Sequence, residues 1–235
     1  MYNNMLQQYY ESNDTIEIGV DEAGRGPMLG RVYSAAVVLP KDDSYDHSKM
    51  KDSKRFSSEK KINEVAEYIM QNALAWDVKY MDEKQIDNIN IRRATHQAMH
   101  QAVEGVLHKK GYLNTCSEAE ADIDLDANIS INILVDGNDF TPYMYMNDNQ
   151  LKQVPHTCIE KGDNKYTCIA AASILAKVFR DRYIKRLCEE HPKLDENYGI
   201  LRNKGYGTKK HIEGIKTHGI TDFHRKTYGI CKDYV

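Results

Sequence analysis

The feature that most constrains this fold is one long helix with a surface of small side chains. Residues 164–190 (NKYTCIAAASILAKVFRDRYIKRLCEE) contain no Gly or Pro, and their apolar and small side chains fall on one side with basic ones on the other. We interpret the alanines at 170–172 and Ser173 first as packing residues, because small side chains let a helix approach a sheet closely. The chain therefore has to build layers in which this helix covers a sheet.

Apolar segments of strand length surround that helix and predict five strands. They lie at 15–21, 31–40, 73–81, 131–138 and 156–163, and helical patterns occur at about 58–73 and 90–110. The first three strands are predicted to form an antiparallel meander. The last two are reached through a helix, so we expect them to run parallel to the first. The sequence thus predicts an α/β fold with a five-stranded mixed sheet flanked by helices.

Charge is divided unevenly along the chain. Residues 1–151 have a net charge of −10 and residues 152–235 one of +7, within a total of −3. An acidic first part suits bound cations and a basic second part suits phosphates, although chance scatter is the alternative. The first residues lack a signal-peptide pattern, apolar runs such as 35–39 are too short to cross a bilayer, and the five cysteines form no CxxC. We predict an intracellular, most simply cytoplasmic, location and no membrane partner.

Acidic residues stand at the ends of three predicted strands. They are Asp21 with Glu22, Asp136 and Asp163. Because sites in open α/β sheets gather at the carboxyl ends of strands, we expect these side chains to converge. Taken singly, Asp136 could serve a turn and Asp163 could cap a helix. Two adjacent acids can face one site only if the strand ends and the chain turns there, which the following GRGP segment permits.

Such a carboxylate cluster indicates hard divalent cations. Unpaired carboxylates repel one another, and Mg²⁺ or Mn²⁺ prefers oxygen ligands. Two ions can clamp the attacking and leaving oxygens of a phosphoryl displacement. No Cys/His spacing suits zinc, no GxxxxGK[ST] loop is present, and GRGP lacks the third glycine of a dinucleotide fingerprint.

Several motifs together resemble ribonuclease HII, in that family's order, from about residue 15 to residue 229. They are GVDEAGRGPMLG (19–30), KDSK (51–54), NIRRAT (90–95), LVDGN (134–138), KGDNKY (161–166), IAAASILAKVFRDR (169–182), GYGTKKH (205–211) and FHRKTYG (223–229). The GYGT and HR segments of the tail are more similar to the bacterial form than to the eukaryotic catalytic subunit.

The resemblance implies a ribonuclease H-like fold with a small helical C-terminal subdomain. It implies an endonuclease that hydrolyses the RNA strand of RNA–DNA hybrids and nicks 5′ of single ribonucleotides embedded in duplex DNA, leaving 3′-hydroxyl and 5′-phosphate ends. Two divalent ions, Mg²⁺ or Mn²⁺, would serve each site. Hybrids and ribonucleotide-containing duplexes are the expected partners, with no obligate protein partner and a monomeric state.

Site residues follow from the same motifs. The resemblance implies that Asp21, Glu22, Asp136 and Asp163 are the catalytic, metal-binding acids, that Gly24, Arg25 and Gly26 read the ribose 2′-hydroxyl, that Tyr206 senses the following deoxynucleotide, and that Lys54 contacts substrate. Physical chemistry supports the reading loop independently, because the 2′-hydroxyl distinguishes RNA from DNA and glycines allow close approach. The alternatives are a surface role for Arg25 and Lys54 and a core role for Tyr206.

The implied organisation is a flexible N-terminus over 1–14, a catalytic domain over 15–190 and a substrate-binding subdomain over 191–235. Residues 114–128 carry five acids and are predicted to be a solvated loop or insertion placed away from the substrate groove. Calcium is not expected there, because the Gly and the late Glu of a calcium loop are missing. Phe56 departs from the leucine usual after the DSK motif, which we interpret as a core variation.

Three other functions remain possible at this stage. A ribonuclease HIII-like preference for longer ribonucleotide runs is disfavoured by Arg25 and Tyr206. A catalytically dead nucleic-acid-binding module would be expected to lack at least one of the four acids. A DNA-only nuclease would have no need of the pairing of a GRG loop with a tyrosine.

Overall fold

The computed structural model describes residues 6–11, 14–110, 114–116, 120–122, 130–147 and 150–235. Its strands are β1 (Thr15–Ala23), β2 (Val32–Val38), β3 (Ala75–Met81), β4 (Asn114–Cys116), β5 (Glu120–Asp122), β6 (Ser130–Asp136), β7 (Met144–Asn147), β8 (Gln150–Gln153) and β9 (His156–Ile159). Its helices are α1 (Glu59–Asn72), α2 (Glu83–Ile89), α3 (Ile91–Lys109), α4 (Thr167–Glu190), α5 (Lys193–Tyr198), α6 (Ile200–Asn203) and α7 (Lys209–His218). Short 3-10 turns lie at His47–Lys49, Ser53–Arg55, Gly162–Asn164 and Gly229–Tyr234.

The central sheet has five strands in the order β3-β2-β1-β6-β9. Strands β1, β2 and β3 pair antiparallel, whereas β6 is parallel to β1 and β9 is parallel to β6. The predicted five-stranded mixed sheet, with its meander and its two later parallel strands, is therefore confirmed. Strand β1 lies at the centre, so its carboxyl end adjoins that of β6.

Helices cover both faces of this sheet. On one face, α1 and α4 bury a cluster that includes Val37, Ile69, Leu134 and Ile174. On the other face, α3 packs with Val20, Val103 and Ile133. Burying apolar area on both faces contributes the main stabilising free energy of such a layered domain, and it fixes the helices with respect to the strand ends.

Helix α4 begins in direct contact with the backbone of β1. A Cβ placed on Gly19 would lie 2.2 Å from the carbonyl carbon of Cys168 and 2.6 Å from the amide nitrogen of Ile169. The alanines at 170–172 are fully buried and Ser173 is nearly so, as expected for packing residues. The small-residue surface therefore brings the first turns of α4 against the strand that ends in two acids.

The end of α4 carries the C-terminal helices. Ile184 and Leu187 of α4 pack with Leu194, Tyr198 and Ile215 of α5 and α7. Met28 and Leu29, from the segment after β1, belong to the same cluster. The tail predicted as short helices and loops is thus a helical unit that packs on the loop following β1.

The structure departs from the predicted elements in the region of the acidic segment. Strands β4 and β5 occupy parts of 114–128 and join β7 and β8 in a second sheet, of order β4-β5-β7-β8, where we predicted only a loop. Residues 117–119 and 123–129 lie outside the described residues, so the solvation and placement of this segment stay predictions. Helix α2 was also not predicted. The last two strands of the central sheet end earlier than expected, at Asp136 and Ile159.

Part of the N-terminal segment contacts the start of α4. The amide of Gln7 donates to the carbonyl of Lys165, and the amide of Thr167 donates to the carbonyl of Gln7. The Glu17 carboxylate accepts from the amides of Tyr10 and Glu11. The flexibility of residues 1–14 stays a prediction.

Within the described ranges, no helix is long and apolar enough to cross a membrane.

Candidate active site

One cavity of about 370 Å³ lies at the carboxyl ends of the central strands. It is lined by every residue that the sequence singled out: Asp21, Glu22, Gly24, Arg25, Gly26, Lys54, Asp136, Asp163 and Tyr206. The four acids come from the end of β1, the end of β6 and the 3-10 turn after β9. The strand order explains this convergence, because β1, β6 and β9 are neighbours that run in the same direction.

The two adjacent acids reach the cavity by a route that we did not expect. The expectation that the strand ends at Asp21 is wrong, since β1 stays paired with β2 up to Ala23. Its pairing with β6 does end, at Val20 opposite Val135. The sheet therefore opens on the β6 side of β1, and both acids line the resulting gap.

The acids are close enough to affect one another electrostatically. Burial raises the pKa of Asp21 well above its usual value, and the charges of Glu22 and Asp136 add to the effect. Burial raises the pKa of Glu22 against the opposing charge of Arg25. Burial also raises the pKa of Asp163, and Asp136 again contributes. Asp136 therefore interacts with all three of the others.

Protein donors hold each acid in place. Asp21 accepts from the amide of Glu22 at 2.7 Å, and Glu22 lies 3.4 Å from the guanidinium of Arg25. Asp136 accepts from the amide of Gly162 at 2.6 Å. Asp163 accepts from the side-chain amide of Asn164 at 3.0 Å. These hydrogen bonds restrict the orientation of each carboxylate at the cavity wall, so the four acids have fixed relative positions.

The acids supply the right chemistry for divalent ions. As the described side chains stand, no group of three or more His, Cys, Asp or Glu is arranged to hold a metal ion. The donor set nevertheless fits Mg²⁺ or Mn²⁺, because four carboxylates line one cavity, and burial together with the charge of Asp136 disfavours the ionised forms of Asp21, Glu22 and Asp163.

The GRG loop lies between two buried arginines. Gly24 has φ +98°, and a Cβ there would lie 2.2 Å from Nε of Arg180, so only glycine fits. Arg225, fully buried, donates to the carbonyls of Gly24, Arg25 and Gly30 at 2.6, 2.9 and 2.8 Å. The loop conformation is therefore fixed from the C-terminal unit, while the Arg25 side chain stays exposed.

Tyr206 stands on a loop that docks against the segment after β1. Gly205 has φ +84°, and a Cβ there would lie 2.6 Å from the carbonyl oxygen of Leu29. The Gly205 carbonyl accepts from the amide of Met28. The Tyr206 side chain is 51% exposed beside Gly26, whose added Cβ would lie 3.3 Å from its ring. Exposure at the cavity argues against the core role that we considered for Tyr206.

Sequence reasoning missed several residues that line the cavity. They are Ser53, Ser173, Asp181 and Lys204, whereas Lys177 and Arg180, which also line it, belong to the basic side of α4 that the sequence predicts. Ser173, interpreted only as a packing residue, also hydrogen-bonds Asp21 and lies 3.1 Å from the hydroxyl of Ser53. Burial lowers the pKa of Arg180 to about 10, and the residue donates to the carbonyl of Lys204. The basic side of α4 was the one signal in the sequence that pointed to this group.

Comparisons with known proteins agree with the motifs. The sequence model described as Ribonuclease HII matches residues 18–231. Ribonuclease HII of Parabacteroides distasonis is 43% identical over 229 residues, which is 97% of each chain. Ribonuclease H2 of Pyrococcus horikoshii OT3 has a similar structure, with a TM-score of 0.66 at 20% identity, covering 93% of this chain and 96% of that one. Bst-RNase HIII in complex with Mn²⁺ gives a TM-score of 0.57 at 16% identity, covering 87% and 70%.

Fold and cavity together define a nuclease of the ribonuclease H type, with a mixed sheet whose acid-bearing edge opens to solvent. The match over nearly the whole length goes further, and the chain belongs to the ribonuclease HII family. It is a hydrolase that cuts within nucleic acid strands, with ribonuclease H activity. The roles of the individual side chains stay predictions.

Proposed function

We propose that this ribonuclease H hydrolyses the RNA strand of RNA–DNA hybrids and nicks 5′ of single ribonucleotides in duplex DNA. The products would carry 3′-hydroxyl and 5′-phosphate ends. One observation carries the proposal: a single cavity is lined by four acids, by the GRG loop and by an exposed tyrosine. A nuclease indifferent to ribose would need only the acids.

Asp21, Glu22, Asp136 and Asp163 would hold two divalent ions, Mg²⁺ or Mn²⁺. When bound, such ions activate water and stabilise the charge that develops on the phosphate. A divalent-ion requirement is supported by the donor set and by the Mn²⁺ complex of the structurally similar Bst-RNase HIII. The raised pKa values of Asp21 and Glu22 indicate that ionising these carboxyl groups is unfavourable in the cavity, and a bound cation would offset that cost.

Selectivity for ribonucleotides would come from the GRG loop and Tyr206. Backbone groups at Gly24, Arg25 and Gly26 would bond the 2′-hydroxyl, the group that RNA has and DNA lacks. The exposed Tyr206 ring, in contact range of Gly26, would pack on the sugar of the next nucleotide. A 2′-hydroxyl there would occupy the space of the ring, so a deoxynucleotide would be preferred.

Phosphates would be held around these groups by basic side chains. Lys54 is exposed at the cavity and its charge acts on Asp163. Lys177 and Lys204 line the same cavity, although Lys177 also pairs with Asp181 at 2.8 Å. Residues 191–235 would act as a substrate-binding subdomain beside the catalytic domain, and we propose a monomer with no obligate protein partner in the cytoplasm.

The decisive experiment uses three matched duplexes of one sequence. One contains a single ribonucleotide, one has an all-RNA strand paired with DNA, and one is all DNA. With Mg²⁺ or Mn²⁺ we expect a nick 5′ of the ribonucleotide, cleavage of the hybrid and an intact DNA control. A 5′-phosphate on the downstream product, detected by phosphatase treatment and relabelling, completes the assignment. An intact single-ribonucleotide duplex beside a cleaved hybrid would refute the nicking function alone.

A further inference from the structure

We propose that His224 and Arg225, adjacent in the C-terminal tail, are positioning residues that set the two ribose-recognition loops separately. The inference rests on the proposed roles of the GRG loop and Tyr206. Both side chains are buried, with 1% and 0% of their surface exposed, and neither lines the cavity. They therefore act through backbone groups and not by touching nucleic acid.

Arg225 orients the peptide groups of the GRG loop. Its guanidinium donates to the carbonyls of Gly24 and Arg25 and, through Nε, to that of Gly30. In a planar trans peptide the N–H points opposite to the carbonyl. Fixing the carbonyls of Gly24 and Arg25 toward Arg225 therefore directs the N–H groups of Arg25 and Gly26 away from it. Those two donors are left available on the opposite side of the loop.

His224 acts on the tyrosine loop through a second histidine. The amide of Thr221 donates to Nδ1 of His224 at 2.9 Å, so the His224 proton must sit on Nε2. That Nε2 lies 3.1 Å from Nε2 of His211, which accepts. Nδ1 of His211 then carries a proton and donates to the carbonyl of Tyr206 at 3.0 Å. Hydrogen bonding thus determines both tautomers along one chain of contacts.

Burial keeps this pair neutral. It lowers the pKa of His211, and together with the neighbouring His211 it lowers the pKa of His224 to about 3. The rings pack against Tyr198. A fixed proton arrangement means that the Tyr206 carbonyl always meets a donor, so the backbone that carries the exposed ring is held in one position.

The tail also contacts residues 28–30, which follow the GRG loop, through its backbone. The amide of Arg225 donates to the carbonyl of Met28, and the amide of Gly30 donates to the carbonyl of Phe223. His224 forms a β-bridge with Leu29. Two consecutive residues of one segment, which the backbone bonds hold in place, therefore serve the two recognition loops: Arg225 contacts the GRG loop, and His224 acts on the loop that carries Tyr206.

The two contacts predict different phenotypes. In Arg225→Lys a single ammonium group replaces the planar guanidinium and cannot donate hydrogen bonds to all three carbonyls in the same geometry. We expect kcat/KM to fall by about 10- to 100-fold on both the hybrid and the single-ribonucleotide duplex, since displacement of about 1 Å can cost 10²-fold. In His224→Phe the donor to His211 is lost, and we expect a loss of about tenfold or more in single-ribonucleotide nicking with hybrid cleavage within about threefold of wild type.

Two further variants separate positioning from stability. His224→Gln keeps an amide donor and an oxygen acceptor, so it should recover most of the nicking that His224→Phe loses. Leu107→Ala empties a position of α3 that is only 1% exposed and lies on the other face of the sheet from α4, so it should lower stability with unchanged kcat/KM. Folding of all variants is checked by circular dichroism and denaturant titration, and rates are measured well below each midpoint.

The outcomes are distinct. If the folded Arg225→Lys and His224→Phe proteins match Leu107→Ala, with wild-type kcat/KM on both substrates, the inference is overturned. Equal losses on both substrates for His224→Phe, with no rescue by glutamine, would refute its part. A wild-type enzyme that leaves the single-ribonucleotide duplex intact would refute the proposed nicking and the His224 part with it, while the hybrid would still test Arg225.

Discussion

Replacing Gly19 by alanine should displace α4 from the central strand. The new Cβ would lie 2.2 Å from the carbonyl carbon, 2.4 Å from the carbonyl oxygen of Cys168 and 2.6 Å from the nitrogen of Ile169. All three are backbone atoms of a helix end, so no side chain can rotate aside. The helix or the strand has to move by about 1 Å to restore ordinary contact distances.

The expected cost is at the upper end for overpacking, about 3 kcal/mol of unfolding free energy. For a chain of this length that corresponds to a Tm lower by about 6–12 °C. The displaced helix carries Ser173, which hydrogen-bonds Asp21, so we also expect kcat to fall by about tenfold or more. Urea denaturation monitored by circular dichroism gives the free energy, and hybrid cleavage gives kcat.

Gly219→Ala is the matched control. Gly219 has φ +74°, but no atom of the described residues lies within 4 Å of the position that a Cβ would take there, so the substitution adds backbone strain without a collision. We expect a loss of about 1–3 kcal/mol, because φ +74° with ψ −164° is a conformation that essentially only glycine adopts, and an unchanged kcat. A Gly19→Ala protein within about 1 kcal/mol of wild type would refute the close-approach argument, as would one that keeps the wild-type kcat.

Three more predictions concern the acids and the tyrosine. Asp136→Asn should abolish cleavage while leaving binding to a hybrid largely intact in a gel-shift assay, and loss of binding together with loss of folding would contradict this role. Tyr206→Ala should weaken single-ribonucleotide nicking more than hybrid cleavage, whereas equal losses would argue against junction sensing. Asp21→Asn should raise the unfolding free energy at pH 7 without divalent ions: the folded-state pKa of Asp21 lies above its unfolded value, so ionisation destabilises the fold as pH rises. That gain should vanish below about pH 3.8, and denaturation at several pH values tests the sign.

The carboxylate set could be predicted because its members are tied to strand ends. Apolar runs locate β1, β6 and β9 along the chain, although their observed ends at Ala23, Asp136 and Ile159 differ from the predicted ones, and parallel neighbours end at one edge. Asp21, Glu22, Asp136 and Asp163 therefore follow from pattern and topology together. The continued pairing of β1 with β2 past Asp21 could not be predicted in the same way. A strand pairs with a different neighbour on each side, and its hydrogen bonds to the two neighbours can end at different residues.

The contacts that His224 and Arg225 make could not be derived from the sequence. Their partners are backbone carbonyls or a second histidine, and a carbonyl has no residue identity to recognise. The small second sheet escaped prediction for another reason. Met144, Met146 and Leu151 are exposed and the strands span only three or four residues, so no burial pattern distinguishes β7 and β8 from a loop.

The contact between Arg225 and Gly24 spans 201 positions of the chain. A ribosome releases the loop after β1 long before it has made the tail that fixes that loop. The four acids all precede residue 164, so they can come together while Arg225, which contacts the GRG loop in the complete fold, is still inside the exit tunnel. If the proposed function holds, we expect products truncated before residue 224 to bind cations without discriminating ribose from deoxyribose.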